Sequence, residues 1–257
     1  MFYGTSKALQ LAGRPALSSP LQQRLFSAFR VLEANRAILY GDVTFLSEHK
    51  WRLHHCTGNG HTGPPDFMAT MTELLIETSA FSKHGLFEQV EPIPEDVRLC
   101  NLVVTALARR GHELNQILNA WYDGNAPASE FADPFTQLAL ANFYAVRLFH
   151  CNNFTYYTCW EAGTVPQLDK PEIDAYVAII TDLCDQILQT SNIPGAILLF
   201  PLRMAGAHAR YEPQRYNVRH LLHQIHNNGF VVAQRIQTDV SELWQYQAGN
   251  NLDELRM

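Results

Sequence analysis

Long apolar runs are the first thing this sequence lacks. The longest, IPGAILLFPL, is short and interrupted by Pro194 and Pro201, well below the length that crosses a bilayer; no membrane association is expected. The opening MFYGTSKALQLAGRP has neither the charged start nor the long apolar core of a secretory signal, so an intracellular location, cytoplasm or nucleus, is expected. Cysteines are few and scattered: Cys56, Cys100, Cys151, Cys159 and Cys184 show no paired spacing, as fits reduced thiols packed as small hydrophobes. Basic charge is in deficit as well, with 19 Lys and Arg against 25 Asp and Glu for a net charge of −6. That excludes the electrostatic footprint of a domain that grips nucleic acid unaided.

Chemical signatures are equally sparse. HExxH, a nucleophile elbow, a dinucleotide fingerprint and a kinase set are all absent. GNGHTG approaches a phosphate loop but lacks the Lys-Ser/Thr ending. Internal repeats, low-complexity tracts, linkers and alternating strand patterns with hairpin turns are missing too. With 47% hydrophobic and 17% charged residues, what remains is a globular chain, expected to form a single all-α domain over residues 1–257 with about eight helices.

The helices are legible from apolar spacing. Leu21, Leu25, Ala28, Phe29 and Leu32 predict a helix from about Ser19 to Leu39, with Ser18 or Ser19 as cap, Pro20 in the first turn and Gly41 as the stop. A second is predicted from Asp66 to Ser82. Pro92 and Pro94 open a third, which runs through Val97, Cys100, Val104, Leu107, Leu114, Ile117 and Leu118 to Trp121. Leu138 to Phe149, Ile173 to Leu188, the stretch NIPGAILLFPLRMAGAHAR, Val218 to Ile225 and Ile236 to Trp244 mark the rest. Between the first two helices, Phe45, Leu46 and Trp51 are expected to fold back as a buried, irregular corner where a polar loop would be usual.

Three features in order carry a family resemblance. Arg30-x-x-Glu33-x-x-Arg36 leads to Thr44-Phe45-Leu46 and Trp51; Pro201-Leu202-x-x-Ala205-Gly206 follows much later; Gly229-Phe230 and Glu242-Leu243-Trp244 close the series. In this the chain resembles the fungal-specific transcription factor domain, the regulatory domain that lies downstream of zinc-binuclear-cluster DNA-binding modules. The resemblance implies an all-α effector domain. The zinc cluster itself needs six closely spaced cysteines, whereas the five here are dispersed, so a regulatory domain standing alone, without DNA binding of its own, is expected.

Histidines number 11 and fall into groups. His54, His55, Cys56 and His61 flank a Gly-rich loop but lack a second close pair to complete a tetrahedral set; His220, His223 and His226 lie three apart beside an apolar helix face. No metal and no cofactor are expected. RLFHCNNFTYYTCW mixes polar and aromatic groups as ligand pockets do. A mostly apolar pocket is predicted, lined by Trp51, Trp121, Tyr122, His150, Tyr156, Arg203 and His208. Two functions remain open. One is a regulatory domain, tied to fungal secondary metabolism, that binds an apolar small molecule. The other is a cofactor-free cyclase, isomerase or pericyclase of a natural-product pathway, with His150 or His208 as acid or base and Arg203 and Tyr156 stabilising developing charge. Homodimerisation is left open by both.

Overall fold

A computed structural model describes residues 2–13, 19–52, 67–98, 101–125, 133–157, 159–160 and 163–254. Among them there is no strand. Helices account for the regular structure, as the apolar spacing predicts. Backbone contacts divide the chain into two compact units: residues 1–131 with 150–167, and residues 132–149 with 168–257.

The first unit opens with α1 (Phe2–Ala12) and α2 (Pro20–Tyr40). The start of α2 is closed by a capping box: Gln22 N–H donates to Ser19 Oγ at 3.2 Å, and Ser19 N–H to Gln22 Oε1 at 2.9 Å. Gly41 ends the helix at φ +66°, a conformation that costs a residue with a Cβ. Two short 3₁₀ turns follow, Phe45–Ser47 and His49–Trp51. Their i→i+3 bonds satisfy the backbone locally, which lets this corner be apolar. Trp51 meets Phe45 edge-on at 5.1 Å and Phe26 at 5.7 Å between ring centroids.

A polar brace runs beneath the corner. The buried Arg30 donates to the Trp51 carbonyl at 2.6 Å and pairs with Glu73 of α3 (Phe67–Ala80). Glu33, also buried, takes both prongs of the Arg36 guanidinium at 2.9 and 3.0 Å, and Arg36 reaches on to Asp42 at 2.7 Å. These carboxylates hold the Arg36 pKa above its ordinary value, the Glu33 hydrogen bond contributing most.

The second predicted helix does not stop near Ser82. From α3 it continues through a π-helical run, Phe81–Phe87, into α4 (Glu88–Val90). The wider turn has a packing reason: Phe81 and Leu86 are five residues apart and both buried, and i→i+5 winding places such a pair on one side. Asp66 lies outside the described residues. The third predicted helix is in fact two, α5 (Glu95–Arg98) and α6 (Leu102–Asn125). Asn101 makes the break, because its Oδ1 accepts from Val103 N–H at 2.8 Å and so caps α6. Cys100 is outside the described residues, and Ile117, predicted on the apolar face, is 43% exposed.

Around α6 lies a core of Phe81, Leu86, Val90, Leu107, Leu114 and Phe154. Phe154 and His150 belong to the end of α7 (Pro134–Thr155), a helix whose residues up to Phe149 are in the second unit. Gly111 is what allows Phe154 in. A Cβ at this position would overlap Phe154 Cζ.

The second unit contains the rest of α7, then α8 (Lys170–Thr190), a 3₁₀ turn (Gly195–Leu198), α9 (Leu199–His208), α10 (Glu212–Asn227) and α11 (Val232–Glu254). Asp169 and Glu172 form the capping box of α8, with bonds of 2.8 and 2.9 Å. The segment predicted as a buried helix is the 3₁₀ turn plus α9, with Phe200, Leu202, Ala205 and Gly206 all buried. At Gly206 an added Cβ would stand 2.9 Å from Val240 Cγ1, and the Gly206 carbonyl accepts from Trp244 Nε1–H at 2.8 Å. Arg215 and Arg219 of α10 lie over the Trp244 ring at 5.4 and 5.6 Å.

The Gly111 contact sets two opposing terms. Alanine gains about 1 kcal/mol of helix propensity, but overpacking a rigid core costs about 1–3 kcal/mol. Phe154 is held by neighbours on several sides, which puts the cost in the upper part of that range, so Gly111→Ala is expected to lower stability by about 1–2 kcal/mol net. Gly249→Ala, on α11 with nothing within 4 Å of the added carbon, should be neutral or stabilising. Urea unfolding of the two variants against the parent chain checks the contrast.

Candidate functional site

A half-open groove of about 420 Å³ lies in the first unit. One wall is a face of α6: Val104, Thr105, Ala108, Arg109 and His112. Steps of four and one residues bring these side chains to the same side of a 3.6-residue helix. The other wall is the segment carrying Cys159, Trp160 and Thr164.

The groove floor is continuous with the core. Val104, Ala108 and Cys159 are buried members of the same cluster as Phe154. Trp160 is pinned by its Nε1–H, which donates to the Phe154 carbonyl at 2.9 Å, and its ring meets Phe154 edge-on at 5.2 Å. Burial pushes the Cys159 thiol pKa up, although Arg98 opposes this. The thiol therefore stays protonated near neutrality and acts as a wall. Beside it, the Tyr157 phenol is pushed up to about 12 by burial and by the Glu91 carboxylate. Arg98 lies over that ring at 5.8 Å and donates from Nε to the Ile93 carbonyl at 2.7 Å.

Arg109 is the charged side chain among the described lining residues of the groove. Arg109 is exposed at the rim and His112 half-buried. The next arginine is different: Arg110 is neutralised by Glu77 at 2.5 Å and Glu113 at 3.3 Å. Among the described residues no ion pair engages Arg109. The arrangement offers a mostly apolar slot with an aromatic wall and a cationic edge, which suits binding and orientation of a small molecule.

The seven pocket residues predicted from sequence fall elsewhere. Trp51, Trp121, Tyr122, His150 and Tyr156 are in the first unit; Arg203 and His208 are in the second. Trp51 is fully buried in the corner with Phe26 and Phe45. Trp121 donates from Nε1 to Thr70 Oγ1 at 2.9 Å, and Tyr122 beside it is half-buried. His150 is fully buried between Phe81 and Phe154, and its Nε2–H donates to the Gly111 carbonyl at 2.9 Å. Tyr156 is 75% exposed, since the chain leaves α7 just before it, and so it encloses nothing. Arg203 and His208 are half-buried on α9. None of the seven lines the groove. The four residues considered for acid–base and charge-stabilising roles are split, two to each unit.

Thr105, Arg109, His112 and Thr164 were not singled out by sequence reasoning. The signal on α6 was present, as Arg109 and His112 share a side with Val104 and Ala108. The facing segment, however, is brought there only by tertiary packing. Among the other histidines, His220 and His223 are exposed, and each meets an amide four residues on, Gln224 at 2.8 Å and Asn227 at 3.1 Å. Among the described residues no three His, Cys, Asp or Glu side chains converge as a metal site, and no helix is long and apolar enough to cross a membrane. The group His54, His55, Cys56 and His61 lies outside the described residues.

His208 carries a pH signature. Burial lowers its pKa below the ordinary value; the Met204 carbonyl, which accepts from Nδ1–H at 3.0 Å, opposes this, and Arg210 adds to it. The unfolded chain then binds the proton more readily than the folded one. The folded chain keeps its full stability above the unfolded pKa of about 6.5 and loses it as pH falls below that value. His208→Gln is expected to flatten this decline between about pH 7 and 5, read as the urea midpoint against pH.

Comparison with known proteins gives one match. A family model described as the fungal specific transcription factor domain matches residues 96–254, more than half of the chain. No curated protein and no solved structure matches. The matched span contains α6, the groove, the Pro201–Gly206 segment and Trp244. The Arg30–Trp51 corner, one of the three features that carried the resemblance, precedes it. The chain belongs to the fungal specific transcription factor domain family.

Proposed function

We propose that this member of the family is a regulatory domain that responds to an apolar small molecule held in the α6 groove, and that it does not bind DNA through its own surface. The observation that carries the reading is the groove itself. It sits inside the family-matched span, its floor is core hydrophobe, and the charged side chain among its described lining residues, Arg109, stands at the rim. A pocket of this kind converts occupancy into a change of core packing, because the floor residues Val104, Ala108 and Cys159 are also core residues. Ligand binding to the folded state then stabilises this unit by mass action. Fungal secondary metabolism is the proposed setting, as a source of small apolar ligands.

Regulatory function is tested by fusing the whole chain to a heterologous DNA-binding module in a fungal host. The fusion is expected to change transcription of a reporter, and an apolar culture extract should shift that output. Thr105→Trp, a bulky side chain on an exposed rim position, should remove the response to extract while leaving the thermal melt in place. A fusion that leaves the reporter at the level of the DNA-binding module alone would sink the reading.

Net charge gives a second expectation. At −6 the chain lacks the cation excess that phosphate neutralisation requires. The purified chain should show no submicromolar, salt-sensitive retention of random duplex DNA in an electrophoretic shift.

A further inference from the structure

We propose that the groove selects a small ring-bearing carboxylic acid, with its ring against Trp160 and its carboxylate at Arg109. The inference rests on the reading of the groove as an effector site and adds the class of ligand it takes.

Three observations converge. The first is shape: about 420 Å³ is near the lower end of ligand pockets, roughly 300–1,000 Å³. That suits one or two fused rings better than a long lipid. The second is the wall. Trp160 is held in one orientation by its bond to the Phe154 carbonyl and its packing on the Phe154 ring. A fixed indole beside the buried Val104 and Ala108 offers a flat apolar surface without loss of side-chain freedom on binding.

The third is charge. Arg109 and His112 stand one turn apart on the groove face of α6, and no acidic side chain is among the described lining residues. A planar guanidinium matches a carboxylate with two parallel N–H donors, and an imidazole one turn away can supply another. The contrast with Arg110, held by Glu77 and Glu113, shows what an arginine on this helix does when carboxylates are within reach. A cationic ligand would meet Arg109 as a like charge. A neutral one would forgo the charge-assisted contact.

The test titrates 2-naphthoate into the intact chain, followed by tryptophan fluorescence and by ligand-observed NMR. The uncharged 2-naphthamide and the cationic 2-naphthylmethylamine serve as comparators. Naphthoate is expected to bind more tightly than either. Arg109→Gln should weaken naphthoate about tenfold, the usual worth of a charge-assisted bond, and leave naphthamide unchanged. Thr105→Trp should weaken both. Arg109 and Thr105 are exposed, and the melting temperature of each variant verifies its fold. Equal binding of naphthamide and naphthoate, or naphthoate binding indifferent to Arg109→Gln, overturns the acid class while a responsive reporter fusion keeps the effector reading alive. No naphthoate binding at millimolar concentration, or binding indifferent to Thr105→Trp, overturns the site itself; a silent reporter fusion then removes the effector reading as well.

Discussion

Each unit is organised around a helical glycine whose missing side chain admits a bulky neighbour and whose carbonyl takes a second, buried N–H. At Gly111 the neighbour is the Phe154 ring and the donor is His150 Nε2. At Gly206 the neighbours are Val240 and Val218, and the donor is Trp244 Nε1. A backbone carbonyl has two lone pairs, and the usual helix bond uses only one. Without a Cβ in the way, a ring N–H can reach the other and be satisfied in an apolar interior, where an unpaired donor would be costly. Close approach and polar satisfaction thus come from the same missing atom, and the helix spacing in both cores depends on it.

The groove inherits its geometry from the first of these contacts. Phe154 is seated against Gly111, its carbonyl fixes the Trp160 indole, and Trp160 forms the wall opposite α6. Side chains that form the floor also fill the core. A ligand there would be felt by Phe154, and through it by His150 and Phe81. In this setting His150 is a structural hydrogen bonder: its Nε2–H is committed to the Gly111 carbonyl, and its ring is enclosed by aromatics.

The corner after α2 solves a different problem. An apolar chain reversal has backbone groups to satisfy and no water to satisfy them. Two 3₁₀ turns close most of these bonds locally, and the Arg30 guanidinium reaches the Trp51 carbonyl while pairing with Glu73. The pair Glu33 and Arg36 repeats the arrangement one turn on, with Asp42 beyond it. The buried Arg30 is matched to a partner on α3, so the pair fixes the register of α2 against α3 as well as holding it.

The sequence by itself determined that this chain is helical and where most helices begin, and its ordered short motifs pointed to the fungal specific transcription factor domain family. Those properties depend on local spacing, capping residues such as Ser19 and Asp169, and ordered short motifs. Periodicity missed the π-helical passage at Phe81 and the break at Asn101. There the competing signals, an i→i+5 packing pair and a side-chain cap, are weak beside a continuous apolar pattern. It also grouped as one pocket residues that belong to two different units. Tyr156, His150 and Arg203 are polar-capable residues in apolar segments, a description that fits a satisfied core histidine and an exposed tyrosine as well as a ligand pocket. Which helix face stands opposite Trp160, and so that Arg109 and His112 border a groove, was decided only by tertiary packing. A groove is a relation between segments distant in the chain, and the closeness of α6 to Cys159, Trp160 and Thr164 follows from Gly111 admitting Phe154, a contact with no trace in the spacing of either segment.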